Sequence, residues 1–190
     1  MYKRQSLENR SRTALIVIDA QNGVIGKAHE RDRVIANIAT LLDKARAEDV
    51  PVLWVQHSDD DELTKGSEAW QYVDALERLD SEPVVHKRYP DAFEASDLEE
   101  RLAERGVGRL VVTGAQTEEC IRGTLHGALV RGYDATLVGD GHTTEDLREW
   151  GFPVSPEQSI AYTNMYWSWA SAPGRQGTVT PTAEVDFSAG

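Results

Sequence analysis

Residues 109–124 read RLVVTGAQTEECIRGT and hold Cys120, the only cysteine of the 190 residues. Leu110, Val111 and Val112 form a short apolar run, the pattern of a strand buried on both faces. Gly114, Ala115 and Gln116 read as a tight turn, and a helical pattern starts at Thr117 and continues to Arg131. Cys120 thus falls near a helix N-terminus. Unpaired N–H groups and the positive end of the helix dipole there favour thiolate over thiol. The alternative for a lone cysteine is a small buried hydrophobe, and position by itself does not choose between the two.

Working outward, the same strand-then-helix alternation recurs. Residues 13–18 are a continuous apolar strand that ends at Asp19. Residues 31–48 carry Val34, Ile35, Ile38, Leu41, Leu42 and Ala45 at helical spacing. A strand is predicted over 51–55, a short helix over 68–79 bearing Trp70, Val73 and Leu76, and a short strand over 83–86 that leads to Lys87. Residues 97–105 read as a helix stopped by Gly106. Within the helix predicted over 117–131, Cys120, Gly123, Thr124, Gly127 and Ala128 make a small-residue face, which predicts a close approach to the sheet. A strand over 135–138 leads to Asp140, Gly141 and His142; a helix over 157–170 and a short strand near 178–180 complete the chain. This alternation predicts one α/β domain over 13–190, a doubly wound, mostly parallel sheet with helices on both faces, preceded by a polar arm over 1–12.

The chain has 32 acidic and 20 basic residues, a net charge of −12. That balance argues against a broad nucleic-acid-binding face, which needs basic surface. No apolar run reaches membrane-spanning length, and residues 1–13 contain no apolar core of a secretory signal. A single cysteine forms no internal disulfide, which fits the reducing cytoplasm. A small-molecule partner is expected, with neither nucleic acid nor membrane.

Asp19, Lys87 and Cys120 each stand just past a strand end. In a parallel sheet those ends share one rim, where open α/β sheets bind ligands. The combination is chemically coherent. Asp19 offers a base for the thiol proton, Lys87 a cation to hold thiolate and carboxylate, and the Ala115–Gln116 turn with the Cys120 N–H a place for a developing oxyanion.

Three segments, ALIVIDAQNGV, VHKRYPDAF and VVTGAQTEECIRGT, make the chain resemble the isochorismatase-like cysteine hydrolases. That family includes nicotinamidases, N-carbamoyl amino-acid amidohydrolases and ureidoacrylate-type amidohydrolases. RGYDATLVGDGHTTED and SAPGRQGTVTPTAEVDF add weaker likeness, so the resemblance runs from about residue 13 to the end. It implies a six-stranded, Rossmann-like three-layer fold, a triad of Asp19, Lys87 and Cys120, and a non-proline cis peptide at Ala115–Gln116 that aims the Gln116 N–H into an oxyanion hole. It also implies a thioester intermediate and a homodimer or homotetramer.

The chain departs from the nicotinamidase pattern. VQHSDDDELTKGSEAW has His57 but no Asp-x-His, and adjacent acids without imidazole or thiolate partners are a poor zinc site; no metal and no cofactor are expected. Likeness to the metal-free members puts His57 and Trp70 in the pocket lining and Gln21 near its floor. Tyr89, Phe93 and His142 are further pocket candidates, with core packing the alternative. The aromatic-rich segment 162–169 is either interface or core. Two other readings stay open: a vinyl-ether hydrolase on this fold, and a non-catalytic small-molecule-binding protein. A flavodoxin-like or nucleotide-binding domain ranks below both, because no glycine-rich phosphate loop follows the first strand.

Overall fold

The computed structural model describes Leu7 and residues 9–188. Of the polar arm read over 1–12, residues 1–6 and 8 lie outside the described residues. The strands are β1 (Arg12–Ile18), β2 (Val52–His57), β3 (Val84–Lys87), β4 (Val107–Ala115), β5 (Asp134–Thr143), a small hairpin of β6 (Ser171–Ala172) and β7 (Arg175–Gln176), and β8 (Thr178–Thr180). The helices are α1 (Asn22–Ile25), α2 (Arg31–Ala47), α3 (Leu98–Glu104), α4 (Arg122–Arg131) and α5 (Pro156–Trp169). Six strands form a parallel sheet in the order β3-β2-β1-β4-β5-β8.

β1 sits at the centre because every residue from Ala14 to Ile18 is apolar and fully buried. Its side chains alternate between the faces, as strand geometry requires. Ala14, Ile16 and Ile18 enter one core with Leu98 and Leu102 of α3, Leu125 and Leu129 of α4 and Trp167 of α5. Leu15 and Val17 enter the other with Ile38, Leu41 and Leu42 of α2. Each large aliphatic side chain buried this way contributes about 1.5–3 kcal/mol. The sheet is therefore covered on both faces, and only its strand ends are left to make a site. β1 pairs with both β2 and β4, and the chain order reverses between β1 and β4. The crevice at such a reversal is where doubly wound sheets place their ligands.

Four local readings change. Residues 68–79 form turns rather than a helix. The apolar spacing suited a helix, but the segment's carbonyls serve other groups: Asn22 donates to Gln71, Gly23 to Ala69, and the side chains of Gln21 and Gln56 to Trp70. The helix predicted over 117–131 begins as a π-turn, residues Thr117–Ile121, and becomes α-helical only at Arg122. Only part of its small-residue face meets the sheet: Ala128 packs in the core with β1, β4 and β5, whereas the glycines meet the loop after β3, where a Cβ on Gly127 would lie 2.3 Å from the Asp91 carboxylate and one on Gly123 3.1 Å from Pro90 backbone. β5 also extends to Thr143, with its pairing shifted where Gly114 faces His142, so His142 lies within a strand and not beyond it.

Candidate active site

Four neighbouring strands each deliver one side chain to the same rim. Asp19 follows β1, His57 ends β2, Lys87 ends β3, and Cys120 lies in the π-turn after β4. Asp19 holds φ at 47°, in the left-handed region that non-glycine residues rarely adopt. Its N–H is tied to the Val55 carbonyl at 3.0 Å, which fixes the turn. Beside it, Gly114 has a φ of 122°, and a Cβ there would lie 2.0 Å from the Ile18 carbonyl oxygen. Only glycine lets β4 pass this close to the Asp19 turn.

Lys87 ties the group together. Its Nζ lies 2.7 Å from Asp19 Oδ2, 3.0 Å from His57 Nδ1 and 3.1 Å from Cys120 Sγ. The Lys87 and Asp19 side chains are 0% and 1% exposed. Burial opposes the ammonium, but the charges and hydrogen bonds of Asp19 and Cys120 outweigh it and raise the Lys87 pKa. Burial, joined by Asp19, pushes the Cys120 thiol up to about 12 against the pull of Lys87. Burial thus opposes the thiolate that a helix N-terminus would favour. The π-turn is short and carries Glu118 and Glu119, and desolvation prevails. Burial and the Lys87 charge lower the His57 pKa.

Asp19, His57 and Cys120 offer donor atoms within 4.8 Å of one another, a grouping that could surround a metal ion. All three already contact the Lys87 ammonium, so a cation using this set would have to displace it.

The Ala115–Gln116 peptide is cis. In the π-turn that follows, the Glu119 and Ile121 N–H groups donate to the Gln116 carbonyl at 3.2 and 3.1 Å. Gln116, Cys120, Asp19 and His57 all line one cavity of about 950 Å³.

The Isochorismatase domain family model matches residues 13–153, a span that includes every member of this cluster. The chain belongs to the isochorismatase family. It is 33% identical over 144 residues to YddQ, an isochorismatase family protein of Bacillus subtilis, covering 72% of this chain and 80% of that one. It is 30% identical over 169 residues to the ureidoacrylate amidohydrolase RutB of Methylobacterium radiotolerans, covering 67% and 66% respectively. A crystal structure of an isochorismatase from Pseudomonas putida superposes with a TM-score of 0.82 at 31% identity, covering 94% of this chain and 92% of that one. The protein is an isochorismatase-family hydrolase with an amidohydrolase among its relatives.

Of the pocket candidates, this isochorismatase-family fold places only His57 on the cavity wall. Gln21 is fully buried and braces backbone: it donates to the His57 and Trp70 carbonyls and accepts from the His57 N–H. Trp70 stacks on His86, ring centroids 6.0 Å apart. Tyr89 points to solvent, and Phe93 packs in the core against Tyr133 with the Arg131 guanidinium over its ring. His142 is buried, bonded to Thr117 Oγ1 and Asn164 Oδ1 at 2.9 Å each. It supports the first residue of the π-turn from below. Glu118 is held in the same manner by Thr144 and Ser159.

The cavity's remaining lining went unread in the sequence. Asn22 and Glu119 adjoin residues already singled out, and Arg88 follows Lys87 directly; adjacency to the reacting groups was the available signal. Lys27, Trp150 and Phe152 also line the wall. Lys27 and Phe152 come from irregular segments and Trp150 from the end of a short 3-10 helix, Leu147–Trp150, whose directions depend on tertiary packing, so no local pattern marks them.

Proposed function

We propose that this hydrolase cleaves a C–N bond in a small amide, carbamoyl or ureido compound through a thioester on Cys120. The observation that carries the reading is one buried ammonium touching both a carboxylate and the lone thiol, at 2.7 and 3.1 Å, where that carboxylate and thiol line a cavity. Kinship with an amidohydrolase supports it.

A thiol raised to about 12 reacts only if its proton leaves as the new bond forms. Asp19 takes that proton while Cys120 Sγ attacks the carbonyl carbon, and Lys87 keeps the charges balanced. The carbonyl electron pair moves to oxygen, and the oxyanion is met by the Gln116 and Cys120 N–H groups. As the tetrahedral intermediate collapses, the C–N bond breaks and Asp19 returns the proton to the leaving nitrogen. Water, deprotonated by Asp19, then attacks the thioester, releasing the acid and restoring the thiol.

The test is an ammonia-release screen across primary amides, N-carbamoyl amino acids and ureido compounds. Cys120→Ala should lower turnover by roughly 10³-fold or more, the scale seen when a covalent nucleophile is removed. Retained hydrolysis would overturn the nucleophile assignment. The family's vinyl-ether chemistry is the second reading, favoured by the domain that matches; pyruvate release without ammonia would select it. We also propose a homodimer or homotetramer, supported by Tyr162, Met165 and Trp169 exposed on α5.

A further inference from the structure

The proposed mechanism gives Asp19, Lys87 and Cys120 a task each and leaves the fourth member of the cluster without one. His57 Nδ1 lies 3.0 Å from Lys87 Nζ. An ammonium has three donors and no acceptor. Nδ1 must therefore be the unprotonated nitrogen, and the proton of the neutral ring resides on Nε2. This tautomer is assigned from the hydrogen-bond partner, the usual way such an assignment is made.

The position of the ring is equally constrained. Gln21 grips the His57 backbone at both polar groups, accepting from its N–H at 2.9 Å and donating to its carbonyl at 3.0 Å. Register pairs His57 with Lys87 across β2 and β3. The side chain lines the cavity that holds Cys120. Among the described residues the only side-chain hydrogen bond of His57 is this one through Nδ1, and none engages Nε2. Its N–H is a donor without a protein partner on a side chain that lines the cavity.

We propose that Lys87 and Gln21 hold His57 as an Nε2–H donor, and that this donor binds a second acceptor oxygen of the substrate beside the carbonyl that Cys120 attacks. The second half rests on the hydrolase reading above. The oxyanion already has the Gln116 and Cys120 N–H groups, so His57 is left for another oxygen, a carbonyl or carboxylate near the scissile C–N bond. His57 is then a catalytic residue in contact with substrate, and the substrate class narrows to amides that carry such an oxygen.

Two measurements test this. In the full chain labelled with 15N-histidine, long-range 1H–15N spectra at pH 7 should show His57 protonated on Nε2 alone, identified by its absence in His57→Gln. Lys87→Met should release the tautomer to a mixture. An Nδ1–H ring or an imidazolium in the wild-type protein would overturn the assignment, whatever reaction the protein catalyses. In kinetics, His57→Asn keeps an acceptor for Lys87 and loses the Nε2–H, whereas His57→Gln reaches the Nε2 position with a donor. On substrates with the second oxygen, His57→Asn should reduce kcat/KM about tenfold or more relative to His57→Gln, the scale of one hydrogen bond to a charged or polar partner. On matched amides lacking that oxygen the two variants should be equal. Equal values on both substrates would overturn the donor role. Hydrolysis that persists in Cys120→Ala would count against the hydrolase reading instead, and the spectra would still decide the tautomer.

Discussion

A thiol pushed up to about 12 by burial and by Asp19 is a weak nucleophile alone, so the nucleophilic role proposed for it requires its two charged neighbours. They act in opposite directions: Asp19 raises the Cys120 pKa and Lys87 lowers it. Asp19→Asn should therefore lower the midpoint pH of Cys120 alkylation by iodoacetamide while abolishing turnover. Lys87→Met should raise that midpoint. Parallel shifts in both variants would contradict the electrostatic account. His57 is the group expected to set the acid limit. Lys87 and Arg88 disfavour its protonation while Asp19 and Asp59 favour it, and burial, the largest influence, leaves the net shift below the ordinary value of 6.5. As pH falls below 6.5 the unfolded chain binds a proton that the folded ring does not, so the stability contributed by the neutral ring is lost in that direction. Once His57 does protonate, Nδ1 can no longer accept from Lys87. We expect kcat/KM to fall on an acid limb lying below 6.5, and that limb to vanish in His57→Gln; an unchanged limb would assign it to another group.

At the scale of elements, the loop after β3 is held by α4. Thr124 Oγ1 accepts from the Ala92 N–H at 3.0 Å, and Arg131 pairs with Asp91 at 3.1 Å. Gly127 leaves room for that Asp91 carboxylate. Gly127→Ala should gain about 1 kcal/mol of helix propensity and lose about 1–3 kcal/mol by crowding a carboxylate that is already tied to Arg131. The expected net is a lower Tm in a thermal melt, with kcat reduced because the crowded loop begins at Lys87. A higher Tm would show that the loop moves aside without penalty. The same elements show what the sequence could reveal. The unbroken apolar run of β1 and the period of α2 are local signals, and both were legible. The turns at 68–79 were not. Trp70, Val73 and Leu76 repeat as a helix would, but hydrogen bonds from Gln21, Asn22, Gly23 and Gln56, 14 or more residues away along the chain, claim the backbone. Asp19, Lys87 and Cys120 were legible because strand ends in a parallel sheet share a rim. The pocket wall was not, because position past a strand end leaves the direction of a side chain undetermined; Tyr89 turned to solvent and Phe93 to the core.

Across the whole molecule, the sheet order brings β3, β2, β1 and β4 side by side and so converts residues spread from 19 to 120 into one cluster. The wall of the cavity it borders mixes Lys27 and Arg88 with Asp59, Glu62, Glu119 and Glu145 and includes the exposed Trp150 and Phe152. No helix among the described residues is long and apolar enough to cross a membrane. Tyr162, Met165 and Trp169 are exposed on α5, Trp169 by 72%. If this face joins copies of the chain, Trp169→Glu should shift the mass seen by light scattering toward the monomer; a wild-type protein that is already monomeric would remove the interface. The proposed chemistry turns on one bond, between Cys120 Sγ and the substrate's acyl carbon. Intact-mass analysis of a rapidly quenched turnover reaction reads it directly. The expected result is a transient adduct on Cys120 with the mass of the substrate less its amine or ammonia, absent in Cys120→Ala. Full turnover with Cys120 unmodified at every quench time, and undiminished in Cys120→Ala, would contradict it.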